Sequence, residues 1–235
     1  STSVYINAPA VYGCTDSLAD NFNSLANIED STCYYGKTYV PDDNFELYLE
    51  SEGLGDGFLN DSVLTGDVKY NEYLFLSQMN ISDLTGIEDF TALKYLDCSF
   101  NQLTSLDVSN NTDIYSLNCS DNQLTSLDVS TNSALTYLHC SDNQLTILEL
   151  GNIDLEELYC RDNNLTTLDI ASNISLDQLD CSHNQITNLD VIQCDQILVL
   201  NCSHNQLTSL DFNNNIDIYI LNCSDNQLTS LDVSS

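Results

Sequence analysis

A segment that starts at Leu93 returns at Ile114, Leu135, Leu155, Leu176, Ile197 and Ile218, at offsets of 21, 21, 20, 21, 21 and 21 residues. Each copy reads L-x-x-L-x-C-x-x-N-x-L, with Ile standing for Leu at a few places. A regular repeat of this length leaves the chain little choice of fold. In L-x-C the Leu and the Cys point to one face of a short strand and the residue between them points to the other. One copy cannot bury its apolar face alone. Copies stacked ~4.8 Å apart share one continuous core and one parallel sheet. The second half, Leu103-Thr-Ser-Leu-Asp-Val, repeats the inward Leu and Val and so builds the opposite wall. No helical i, i+3, i+4 stripe fits the remaining residues. The expectation is a slim coil with strands on its concave side and extended or 3₁₀ segments opposite. A degenerate copy comes first: Leu74, Leu76, Ile81, Leu84 and Ile87 hold the apolar places, with Met79 where the others have Asn.

Asparagines form two ranks. The first is Asn101, Asn122, Asn143, Asn163, Asn184, Asn205 and Asn226; the second is Asn111, Asn132, Asn152, Asn173 and Asn215, interrupted by Cys194. An inward Asn at a corner of the coil can serve backbone groups of its own and the adjacent turn that would otherwise be stranded. Cys98, Cys119, Cys140, Cys160, Cys181, Cys202 and Cys223 share one inward position. They read as a ladder of free buried thiols acting as small hydrophobes. A linear row facing a packed core does not offer the tetrahedron of ligands that zinc requires, nor the offset that a relaxed disulfide prefers. Cys14 and Cys33 lie outside the repeats, in a polar segment with little core. A disulfide is the natural staple there, and it implies an oxidising compartment.

The chain carries 36 Asp and Glu against 4 Lys and Arg, a net charge of -32. That field repels nucleic acid and anionic lipid alike. No apolar run approaches the ~20 residues of a membrane helix, so direct membrane insertion is not expected, and residues 1–7 do not read as a signal peptide. Four units follow: a disulfide-stapled segment over 1–38, an N-terminal cap over 39–70, the degenerate repeat over 71–92 and seven complete repeats over 93–235. Within the cap, residues 42–52 read as a short helix with Asp42 or Asp43 as N-cap, Phe45, Leu47 and Leu49 as apolar surface, and Gly53 as its stop. Its task is to cover the edge of the first coil. The last copy stops at Ser235 without such a cover, which reads as a cut from a longer protein.

The 21-residue repeat L-x-C-S-x-N-Q-L-T-S-L-D-V-S resembles the internalin J type of bacterial leucine-rich-repeat protein, over residues 93–235. The two-cysteine segment Gly13 to Cys33 resembles a short module of large secreted and surface proteins of marine Bacteroidetes, and Tyr39-Val-Pro-Asp-Asp-Asn-Phe-Glu resembles the cap that precedes such repeats. These resemblances imply a leucine-rich-repeat solenoid in an exported protein, secreted or held at the bacterial cell surface, whose repeats bind a partner.

Function is then a question about surface ranks. No nucleophile elbow, P-loop, zinc-hydrolase helix or dinucleotide motif is present, so an enzyme is not expected. Asp107, Asp128, Glu149, Asp169, Asp190, Asp211 and Asp232 project outward one coil apart, and their hard oxygens suit Ca²⁺; the alternative is a solvated acidic stripe. Asp162, His183, His204 and Asp225, each just before an Asn of the first rank, place two His side by side with a carboxylate at either end; the alternative is variable polar surface. On the strand face, outward positions vary between copies while the back wall hardly changes. Tyr95, Tyr137, His139, Glu157, Tyr159, Arg161 and Asp180 stand out, with Arg161 and Lys94 the only basic residues of the complete repeats. That contrast predicts a non-enzymatic extracellular module that recognises a protein or glycan through its concave face. The other reading is a structural spacer in a larger surface adhesin, stiffened by calcium.

Overall fold

The computed structural model describes residues 9–17, 19, 21–33, 36–212, 214–215 and 217–231. Eight three-residue strands form one parallel sheet in chain order: β3 (Tyr73–Phe75), β4 (Tyr95–Asp97), β5 (Ser116–Asn118), β7 (Tyr137–His139), β9 (Glu157–Tyr159), β10 (Gln178–Asp180), β11 (Val199–Asn201) and β12 (Ile220–Asn222). The register matches like with like, Leu96 against Leu117, Leu117 against Leu138 and so on to Leu200 against Leu221. The back wall is mostly extended, and in two coils it becomes strand: β6 (Ser126–Asp128) pairs with β8 (Ile147–Glu149). A 3₁₀ turn, Ile87–Asp89, closes the degenerate coil. Between the walls lies a core one Leu layer thick, in which the sheet Leu, the ladder Cys from Cys98 to Cys202 and the back-wall Leu and Val are shut away from solvent.

The first asparagine rank seams each coil to the one before it. Asn163 donates to the Cys140 and Cys160 carbonyls at 3.0 and 3.2 Å and accepts from the Leu145 N–H at 2.9 Å. The same set recurs from Asn122 to Asn226. Asn101 serves the degenerate coil, accepting from the Met79 and Ile81 N–H groups. At the matching position that coil has Met79.

The second rank is looser. Asn132 donates to the Val108 and Asn111 carbonyls at 2.9 Å, but its own carbonyl oxygen is buried without a partner, as are those of Asn111 and Asn215. What this corner requires is a donor. Cys194 supplies one through its thiol, 3.4 Å from the Ile170 carbonyl, and so replaces Asn without opening the coil. Asn152 does not belong to the rank: it is exposed, and Ile153 takes the inward place. The one residue missing from this coil falls after the corner, between Ile153 and Leu155, so the spacing that matched Asn152 to the other asparagines is off by one.

The cap packs on the first coil. β1 (Lys37–Tyr39) and β2 (Ser62–Leu64) pair antiparallel. Between them α1 runs Asp43–Ser51, and a short α2, Thr65–Val68, leads into the solenoid. β1 therefore lies across the boundary drawn at residue 38 and pairs with a strand of the cap. Asp42 caps α1, one oxygen accepting from the Asn44 and Phe45 N–H groups and the other from Ser82 and Asp83 in the first coil. Burial raises the Asp42 pKa, but those donors outweigh it and hold the carboxyl below its ordinary range. Phe45 and Leu49 are buried, Phe45 against Phe90, whereas Leu47 faces solvent. Gly53, at φ 75°, ends the helix. In front of the cap, Cys14 and Cys33 form a disulfide with Cα atoms 4.7 Å apart.

Candidate recognition surface

Three outward ranks were candidates, and local backbone chemistry accounts for two of them. Phe100, Asp121, Asp142, Asp162, His183, His204 and Asp225 all have φ between 51° and 54°. Each coil thus turns its corner through one left-handed residue. Asp and His are among the side chains that tolerate this region best, so the rank has a backbone reason to be rich in them. His183 and His204 stack face to face with centroids 4.1 Å apart. His183 Nδ1 lies 3.9 Å from Asp162 and His204 Nε2 lies 3.3 Å from Asp225, so the carboxylates flank the pair from opposite ends. Among the described residues this rank does not gather three ligand atoms within 4.8 Å of one another.

The acidic rank on the back wall serves turns. The Asp107, Asp128, Asp169 and Asp190 carboxylates each accept from the backbone N–H two residues on, at 2.9 to 3.1 Å. Hydrogen bonds from Ser109 and Ser130 hold the first two below the usual carboxylate range. Glu149 ends β8, Asp211 follows the same sequence pattern as the Asp residues, and Asp232 lies outside the described residues. A groove of about 460 Å³ runs along this wall between Glu149, Thr167, Asp169 and Asp190.

The strand face behaves differently. In five coils the last strand residue is Asp or Asn, and its Oδ1 accepts from the hydroxyl of the Ser two residues on: Asp97 from Ser99 at 2.6 Å, Asn118 from Ser120 at 2.9 Å, Asp180 from Ser182 at 2.6 Å, and Asn201 and Asn222 from Ser203 and Ser224 at 2.8 Å. Two adjacent coils break this rule. His139 stands where the acceptor belongs, and the fully buried Ser141 hydroxyl has no partner. Tyr159 stands there in the next coil, and Arg161 replaces its Ser. The alternation D/N-C-S against H-C-S and Y-C-R is plain in the sequence, but its meaning depends on a hydrogen bond that the repeat pattern does not display.

These exceptions adjoin each other. Tyr159 lies 5.9 Å from Tyr137 and 5.6 Å from His139, centroid to centroid, the second contact edge to face. The Tyr159 hydroxyl is 2.8 Å from both the Glu157 carboxylate and the Gln178 side-chain oxygen, which fixes the ring. Burial, then the bond to Glu157, pushes its pKa well up, and burial lowers that of His139, so both are neutral at physiological pH. Arg161 rims the cluster, paired with Asp142 at 3.3 Å and Asp162 at 3.5 Å. Two coils away, Tyr95 lies 5.1 Å from Phe75. The buried Ser116 separates the aromatic groups, in register with Tyr95 on one side and Tyr137 on the other. Asp180 is tied to Ser182 and Asn201 and belongs to the structural set. Among the described residues His139 has no hydrogen-bonded nucleophile. What the face offers is a shallow platform of preorganised, half-buried aromatic rings with polar tips.

No family model and no curated protein matches the chain. Solved structures do. The functional domain of InlJ from Listeria monocytogenes, which includes a cysteine ladder, is similar at 35% identity and TM-score 0.63, over 84% of this chain and 50% of that one. A leucine-rich-repeat protein of Leptospira interrogans is similar at 25% identity and TM-score 0.62, over 70% of this chain and 46% of that one. Internalin C2 of Listeria monocytogenes shares the fold at 22% identity and TM-score 0.66, over 84% and 92%. The chain spans about half the length of the first two. Fold and comparison define the class: an internalin-type leucine-rich-repeat solenoid. Within that class the particular likeness to InlJ extends to the ladder of buried cysteines.

Proposed function

We infer that this solenoid recognises a protein through its concave face, outside the cell, with Tyr137, His139, Tyr159 and Arg161 at the centre of the contact and Tyr95 and Glu157 beside it. The observation that carries this reading is the unpartnered Ser141 hydroxyl. Two adjacent coils give up a side-chain hydrogen bond that five others keep, and they do so where two tyrosines, a histidine and the only arginine converge. Structural drift does not select for a stranded hydroxyl beside an aromatic cluster. Tyr and Arg are the side chains that anchor protein interfaces, because their large faces are desolvated at small entropic cost. A protein fits better than a small molecule, since the platform is shallow and lies on the open strand face rather than in an enclosed pocket. The disulfide and the likeness to internalins support an exported protein, and no described helix is long and apolar enough to cross a membrane.

Tyr137→Ala and Tyr159→Ala are expected to weaken binding by about 2 kcal/mol each, roughly thirtyfold. Binding to a partner captured from surface-protein extracts and measured by calorimetry provides the check. Ile147→Ala on the back wall is the control. Equal effects from the front and back substitutions would remove the concave-face reading.

A further inference from the structure

The cap contains an acidic group unlike those on the repeats. Glu46 points inward from α1 and is fully buried. One of its carboxylate oxygens accepts from the Asn60 and Ser62 N–H groups, at 2.8 and 3.0 Å, and so ties the helix to the lead-in of β2. The other oxygen is buried and has no partner at all. A carboxylate oxygen from each of Asp43, Glu46 and Asp61 lies within 4.8 Å of the other two. Asp43 and Asp61 are exposed, and neither carboxylate has a hydrogen bond or an ion pair among the described residues. Lys37, the basic residue of β1, is engaged elsewhere, with Asp56 and the Ser62 hydroxyl, each at 3.1 Å.

Three carboxylates this close repel one another, and a buried carboxyl oxygen without a partner is costly for a fold to hold. One small cation answers both problems. We propose that the cap binds a single divalent cation, calcium by its chemistry, between Asp43, Glu46 and Asp61. The donors are all hard oxygens, with no imidazole or thiolate, which suits calcium over a transition metal. Two exposed ligands leave room for the waters that complete a coordination shell of six to eight. The field of a chain with net charge -32 raises the local concentration of cations around the site. Because Asp43 and Glu46 belong to α1 and Asp61 to the approach of β2, the ion joins the two elements that lie over the first coil.

This site is separate from the acidic rank of the back wall, and the test distinguishes the two. Protein stripped with a chelator is titrated with calcium chloride by calorimetry and then melted with and without millimolar calcium. The expected result is one saturable site and a rise in Tm of about 4 °C or more. Asp61→Asn and Asp43→Asn change exposed side chains and each removes one of the crowded charges, so both are expected to fold with a Tm in chelator no lower than the parent's and to lose the calcium-induced rise. The absence of saturable heat together with a constant Tm overturns the proposal. So does a calcium effect that survives undiminished in both variants, which would place the ion on the repeats.

Discussion

At the end of β7, His139 occupies a place that five other coils give to an amide or carboxylate oxygen. His139→Asn restores that oxygen within reach of the buried Ser141 hydroxyl. It is expected to raise stability by about 0.5–1.5 kcal/mol, the net worth of one buried hydrogen bond, while weakening partner binding. Denaturant unfolding checks the first effect, and a variant no more stable than the parent would mean that the Ser141 hydroxyl finds another acceptor. Stability and recognition pull against each other here, as they do at many binding sites. The sequence displays the odd residues but not their reason. The aromatic cluster was legible from the contrast between varied strand faces and a constant back wall. The role of Asp in D-x-S turns and of Asp and His at the left-handed corner was not, since spacing carries no record of φ or of a two-residue hydrogen bond. A row of Asp and His that suggests metal ligands on paper is explained in space by a corner that few other side chains turn so readily.

Within the sheet, the ladder acts as a unit. Burial pushes the Cys119 and Cys202 thiols up to about 12 and raises those of Cys98, Cys140, Cys160 and Cys181 well above the ordinary value. These thiols are protonated and unreactive at neutral pH. A thiol whose pKa is higher in the folded than in the unfolded chain favours folding while it holds its proton. That contribution is complete below about pH 9 and disappears as the pH climbs through the folded value near 12. The melting temperature is therefore expected to fall steeply between about pH 9 and pH 12, with six thiols contributing together. A flat profile over that range would show that water reaches the ladder. The strands and the ladder were legible from period and alternation, and the cap helix from its capping residues and its glycine stop. The single-residue slip at Asn152 and Ile153 was not, because a deletion in one coil can be placed on either side of the corner until the burial of each residue is known.

Taken as one object, the solenoid carries nine acidic side chains for each basic one, 36 against 4. Most lie on the outside of a thin core, so they repel across the whole length. Raising sodium chloride from about 20 mM to about 500 mM shortens the screening length from roughly 20 Å to 4 Å and is expected to raise Tm by several degrees. Potassium chloride should act alike, since screening depends on ionic strength rather than on which cation supplies it. A Tm insensitive to both salts would show that repulsion among these charges does not limit the stability of the fold. The direction of the field was evident from composition alone. The buried carboxylate in the cap was not, because an acidic residue among apolar neighbours on a short helix looks like ordinary solvent-facing punctuation.

The Asn122-to-Asn226 seam also bears on how such a molecule changes in length. Each turn brings with it the amide that fastens it to the turn before and the cysteine carbonyl that receives the amide of the next. A duplicated segment of one full period can therefore be spliced in between any two regular turns and leave no bond unmade on either side. Reach becomes a quantity that recombination between near-identical gene segments can adjust in whole steps, while a partial step would throw every later turn out of phase.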